Sequence, residues 1–157
     1  VRNSGGNNGN RYLIIPSYAA SIDEIPLFGM EVPSDGRIAV SLHFYYPRGF
    51  CSDQFTDESV WTEKDREKLK KKFSFIAEMF VAKGIPVVIG EFGAAFKNND
   101  AERAEFIRDF LSLAAKSGIP CLWWDDGAGN YGLMDRLTGE WTHGEAVEAL
   151  TNDQPAA

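Results

Sequence analysis

This sequence of 157 residues is poor in the groups on which much of enzyme chemistry depends, with two histidines and two cysteines. Cys51 and Cys121 lie far apart without metal-ligand spacing, so a zinc site is excluded and a disulfide has no support from the pattern. There is no Gly-Lys-Ser/Thr loop to cradle a phosphate and no Gly-x-Ser-x-Gly nucleophile elbow. Basic residues are outnumbered 16 to 23 by acidic ones, giving a net charge of −7 that argues against a nucleic-acid surface. The basic run Lys68 to Lys72 sits beside Glu63, Asp65 and Glu67 and reads as a solvated helix face. The chain is too polar for a membrane span, and no segment has the pattern of a secretion signal, an absence that decides little about compartment.

What is present is apolar material for one core, 44% hydrophobic and 13% aromatic, arranged in alternating periods. Residues 1–10 are rich in Gly and Asn and predict an irregular lead-in, 11–150 the folded unit, and 151–157 a flexible tail. Arg11 to Pro16 reads as a strand, and Ser17 to Gly36 shows no clear helical period. Ile38, Val40, Leu42 and Phe44 alternate with Ala39, Ser41, His43 and Tyr45, the signature of a strand with one apolar face. Thr62-Glu-Lys-Asp65 resembles a capping box, and Leu69, Phe73, Ile76 and Phe80 follow at helical spacing until Gly84. Val87 to Phe92 is a third strand, 99–117 a second helix, Cys121 to Asp125 a fourth strand, and 144–150 a last short helix. Strands alternating with helices predict a parallel sheet, and Gly-Ile-Pro introduces each of the last two strands.

The apolar run Pro86-Val-Val-Ile-Gly-Glu91 ends on a carboxylate where a parallel α/β sheet opens its ligand crevice. His43 and Tyr45 lie at the end of the preceding strand, and Trp124 and Asp125 at the end of the following one. Singly, such residues are more often structural; together on one rim they predict a shared site. A carboxylate, an imidazole, a phenol and an indole suit a sugar ring, whose C–H face packs on an aromatic plane while polar groups bond its hydroxyls. The pattern points to hydrolysis without a cofactor.

Three motifs in order, His43-Phe-Tyr45, Ile89-Gly-Glu91-Phe-Gly93 and Cys121-Leu-Trp-Trp-Asp-Asp126, resemble the sixth, seventh and eighth strands of glycoside hydrolase family five, the cellulase-type endoglucanases. Arg11 to Pro16 resembles the fifth strand, so the resemblance runs from Asn10 to Leu150. It implies half of a (β/α)8 TIM barrel, four parallel strands with helices on the outer face, completed by association. It also implies the C-terminal part of a retaining endo-β-1,4-glucanase, with Glu91 as nucleophile and His43 and Tyr45 positioning it. Trp124 would floor the sugar, Trp61 line a leaving-group subsite, and Lys97 bond a more distant sugar; a packing role for Trp61 before its helix is the other reading. No cofactor is implied. The expected partners are a β-glucan and either a complementary N-terminal half-barrel or a second copy of this chain, and the expected location is extracellular.

The family's general acid/base belongs to an Asn-Glu pair closing its fourth strand, and this sequence contains no Asn-Glu dipeptide. Retention needs two carboxyls about 5 to 5.5 Å apart, so one Glu predicts an inactive or weak isolated chain. Two rival readings are a non-catalytic β-glucan-binding or structural oligomer that keeps the aromatic rim, and a flavodoxin-like doubly wound domain, which lacks the expected phosphate loop and enough helices.

Overall fold

A computed structural model describes residues 1–52, 56–127 and 129–152 of the chain. The expected tail falls largely on 153–157, outside the described residues. Four strands, β1 (Leu13–Pro16), β2 (Ile38–Phe44), β3 (Val87–Phe92) and β4 (Cys121–Trp123), form one parallel sheet in that order. Two long helices, α3 (Glu63–Met79) and α4 (Asp100–Lys116), cross between consecutive strands. They are accompanied by three short ones: α1 (Glu24–Phe28), α2 (Arg48–Cys51) and α5 (Gly144–Thr151). Among the described residues no helix is long and apolar enough to cross a membrane.

Alternation in β2 sorts its side chains as the pattern predicts: Ile38, Val40, Leu42 and Phe44 are buried under the helices, while Ala39, Ser41 and His43 stay partly open on the other face. The helices meet that apolar face with Leu69, Phe73 and Ile76 from α3 and Phe106, Ile107 and Phe110 from α4. Phe92 stacks flat on Phe110 with ring centroids 4.1 Å apart, and Phe44 meets the Phe110 ring edge-on at 5.0 Å, so the middle of the core is an aromatic cluster. The Thr62 hydroxyl accepts the Asp65 amide proton at the start of α3, a capping bond of 3.3 Å. Gly84 and Gly118, which open the two Gly-Ile-Pro echoes, both take the left-handed conformation after their helices, at φ +74° and +65°.

The segment expected to be loop-like between β1 and β2 contains α1 and a single 3-10 turn, too short to show a period. The lead-in also has local order, a 3-10 turn over Gly6–Asn10 tied down by Arg2 on Asp35 at 2.5 Å and by Arg37 on the Gly9 carbonyl at 3.1 Å. Helices cover one face of the sheet. On the other, Ile14 of β1 and Leu122 of β4, the two edge strands, are 62% and 57% exposed.

Candidate active site

Glu91 reaches the open face through a break in the alternation. Ile89 pairs with Leu42 across the β2–β3 ladder, yet the next pair is Glu91 with His43, so β3 carries one residue more than β2 at Gly90. This bulge turns both Gly90 and Glu91 toward the helix-free face and returns Phe92 to the core. Strict period-two spacing from Ile89 would have aimed Glu91 into the helices. A glycine fits there without crowding, since a Cβ on Gly90 would stand 3.2 Å from the Ser41 hydroxyl, closer than ordinary contact.

The carboxylate is held on one oxygen. Tyr45 donates its phenol proton to Glu91 Oε2 at 3.0 Å, and His43 Nδ1 lies 3.1 Å from that same oxygen. Oε1 has no partner among the described residues. Burial, and then the neighbouring Glu91, push the Tyr45 phenol far above its ordinary range, so it remains a protonated donor at any working pH. An open cleft of about 770 Å³ is lined by His43 and Tyr45, the two residues that contact Glu91, and by Trp124, Asp126, Tyr131, Tyr18, Asp23 and Arg48.

The two adjacent tryptophans diverge because β4 alternates. Trp123 turns to the helix side, edge-on to Phe92 at 5.4 Å, with its indole N–H on the Tyr131 carbonyl at 3.0 Å. Trp124 extends the sheet through its amide on the Phe92 carbonyl at 2.9 Å and remains 44% exposed on the cleft wall. Sequence reasoning thus named four residues that the fold brings together: Glu91, His43, Tyr45 and Trp124.

Trp61 and Lys97 are not among them, and both expectations are corrected. Trp61 is 3% exposed, packed on Phe50 and Phe106, with its indole N–H on Asp109 at 2.7 Å. It is a core residue, the packing role named as its other reading. Lys97 is not among the residues lining the cleft; its ammonium is shared among the carbonyls of Gly49, Phe50, Thr56 and Glu58 at 2.7 to 3.3 Å, where it clasps the segment after β2.

Sequence reasoning missed the segment after β4. The Asp125 carboxylate accepts the amide protons of Gly127 at 2.7 Å and Leu133 at 3.0 Å and pairs with Arg136, folding the loop that sets Tyr131 against the cleft. The Asp-Asp-Gly run signals such a turn, though not what it would carry. Cys51 and Cys121 are free thiols. Among the described residues, no three His, Cys, Asp or Glu converge as a metal site.

Comparison with known proteins agrees with this geometry. The family model for cellulase, glycosyl hydrolase family 5, matches residues 1–130. Endoglucanase 1 of Ruminococcus albus is 41% identical over 156 residues, a match covering 96% of this chain and 38% of that protein. Endoglucanase A of Clostridium longisporum is 35% identical, covering 96% and 31% respectively. Among solved structures, a broad specificity endoglucanase from Clostridium acetobutylicum superposes with a TM-score of 0.88 at 37% identity, covering 96% of this chain and 48% of its own. One from Ruminococcus champanellensis with bound cellotriose gives 0.87 at 36%, covering 97% and 46%. The chain therefore spans less than half the length of these relatives, and its four-stranded unit corresponds to about half of the TIM-barrel chains it matches.

Proposed function

The chain belongs to glycosyl hydrolase family 5, and from that premise we propose that it is the part of a retaining endo-β-1,4-glucanase that supplies the nucleophile, Glu91, and the sugar platform, Trp124. The observation that carries this reading is the asymmetry of the carboxylate: Oε2 is held by Tyr45 and His43, while Oε1 has no partner among the described residues. The Tyr45 hydrogen bond and the His43 ring nitrogen both sit on one oxygen, which orients the carboxylate and leaves the other oxygen to attack.

In the proposed reaction Oε1 bonds to the anomeric carbon as the glycosidic C–O bond breaks, and a general acid protonates the leaving oxygen. Water then cleaves the glycosyl ester, losing its proton to that same group, now a base, and the anomeric configuration is retained overall. Tyr45 and His43 keep Oε2 in place through both steps, and Trp124 presents its indole face to the sugar ring.

The acid/base is supplied by a complementary half-barrel. Two observations support this. Of the cleft-lining carboxylates among the described residues, Asp23 is paired with Arg48 at 2.6 Å and Asp126 accepts the Gly129 amide through one oxygen at 3.0 Å, and neither belongs to an Asn-Glu pair. The open sheet face with its exposed Ile14 and Leu122 is also a surface that four further strands would cover. Alone, the chain is expected to turn over glucan weakly or not at all. The substrate is a β-1,4-linked glucan, which places the enzyme outside the cell, where such polymers occur.

A 2-deoxy-2-fluoro-β-cellobioside with a dinitrophenolate leaving group tests the assignment, because that group departs without a proton donor. One covalent label on the peptide containing Glu91, absent in Glu91→Gln, is the expected result. If the sugar binds by calorimetry and no label forms in either protein, the non-catalytic glucan-binding reading replaces this one.

A further inference from the structure

We infer that Tyr131 is a positioning residue for the nucleophile: its ring braces Tyr45 in the orientation that holds Glu91, and its hydroxyl anchors that brace to the Cys51 carbonyl. The ring meets Tyr45 edge-on, centroids 5.6 Å apart and planes at 75°. Its hydroxyl donates to the Cys51 carbonyl at 2.9 Å, and the same carbonyl accepts the Ala95 amide at 3.0 Å. One acceptor at the end of α2 thus ties together the segments following β2, β3 and β4.

Gly93 shows how closely the brace is fitted. A Cβ there would lie 3.1 Å from the Tyr131 ring, closer than ordinary contact, and 3.6 Å from the Tyr45 ring, so Tyr131 uses space that a side chain would crowd. From behind, the Trp123 indole N–H on the Tyr131 carbonyl holds the backbone at 3.0 Å. Tyr45 has a single phenol proton to donate, and because a phenol O–H prefers the plane of its ring, the tilt of the ring biases the direction in which that proton points at Glu91. A neighbour that restricts the tilt therefore acts on Glu91 without touching it.

The inference depends on the proposed function only for what the hydrogen bond does in catalysis, so two readouts are needed. The first requires no sugar: the flip rate of the Tyr45 ring, from carbon-13 line shapes of labelled tyrosine, in wild type, Tyr131→Phe and Tyr131→Leu. Losing the anchor should speed flips about threefold, and losing ring and anchor together about tenfold, the size expected of contacts worth a fraction of a kcal/mol to somewhat over one. The second is labelling by the fluorocellobioside. Its inactivation rate constant should fall in the same order, to about a tenth in Tyr131→Leu, at unchanged affinity for the reagent, with no further loss when Tyr45→Phe is added.

Flip rates equal to wild type in both variants overturn the inference, as does an additive double variant, which would mean that Tyr131 touches the sugar itself. Should Tyr131→Leu not fold, Tyr131→Phe decides by the same flip rate. If wild type is never labelled, the nucleophile reading fails, and the ring measurement alone decides the role of Tyr131.

Discussion

His43 and Glu91 stand opposite each other across β2 and β3, Nδ1 to Oε2 at 3.1 Å, because β3 is one residue longer than β2 at Gly90. The bulge does what a side-chain substitution cannot: it moves a carboxylate from the helix side of the sheet to the cleft side.

Filling Gly90 should therefore disturb the site more than the fold. Gly90→Ala places a methyl 3.2 Å from the Ser41 hydroxyl, and that side chain must give by a few tenths of an ångström. The expected cost is about 1 kcal/mol of stability, typical of mild overpacking, together with slower labelling at Glu91. Adding Ser41→Ala removes the clashing oxygen and should restore both, as urea midpoints and labelling rates would report.

Two tryptophan replacements should separate cleft from core. Trp124→Ala is expected to weaken cello-oligosaccharide binding roughly tenfold, about 1.4 kcal/mol, with little change in stability. Trp61→Ala should leave binding alone and cost about 3–5 kcal/mol, since it empties a site packed between Phe50 and Phe106 and removes one of the two donors on Asp109, Arg66 being the other. Calorimetric titration and chemical unfolding, run on both variants, check the pair.

Lys97→Met keeps the stem and removes the ammonium that four carbonyls share. The segment following β2 should loosen, costing about 2 kcal/mol for the lost charge-assisted bonds. Limited proteolysis is expected to cut within 48–60 faster than in wild type, whereas a direct sugar contact would instead show as weaker binding at unchanged proteolysis.

Asp125 gives a pH dependence of known sign. Burial alone would raise its carboxyl, but the Leu133 and Gly127 amides and Arg136 outweigh it and hold the group below the usual 3.8. A carboxylate lowered on folding stabilises above its unfolded value and loses that contribution as pH falls through the folded one. Asp125→Asn should therefore cost about 1–2 kcal/mol at pH 7, and the gap from wild type should begin to narrow as the pH falls below the usual 3.8 and close once it has passed the lowered folded value, read from urea midpoints across that range.

Much of the fold was legible because burial writes a period into the chain. The alternation from Ile38 to Phe44 and the spacing of Leu69, Phe73 and Ile76 are direct consequences of which face is covered. The rim was legible for a related reason: Glu91 and Trp124 close apolar runs, and strand ends in a parallel sheet share one side. Contacts made only on folding left no such trace. The bulge at Gly90 depends on register against β2, and nothing in Gly-Glu alone announces it. Trp61 and Lys97 lie beside the expected loops in sequence, but their partners, Asp109 and the carbonyls of 49–58, are set by how those loops close. Tyr131 follows a turn signal at Asp125 and Asp126, yet its value lies in meeting Tyr45 and Cys51, both far earlier in the chain.

The unequal burial of the indoles gives the protein a built-in optical readout. Trp61, 3% exposed, should emit toward the blue and resist acrylamide, whereas Trp124 and Trp141, at 44% and 59%, emit toward the red and are quenched. A sugar seated on Trp124 would change the red component alone, and melting would shift the blue one, so a single fluorescence spectrum distinguishes an occupied cleft from an unfolding core.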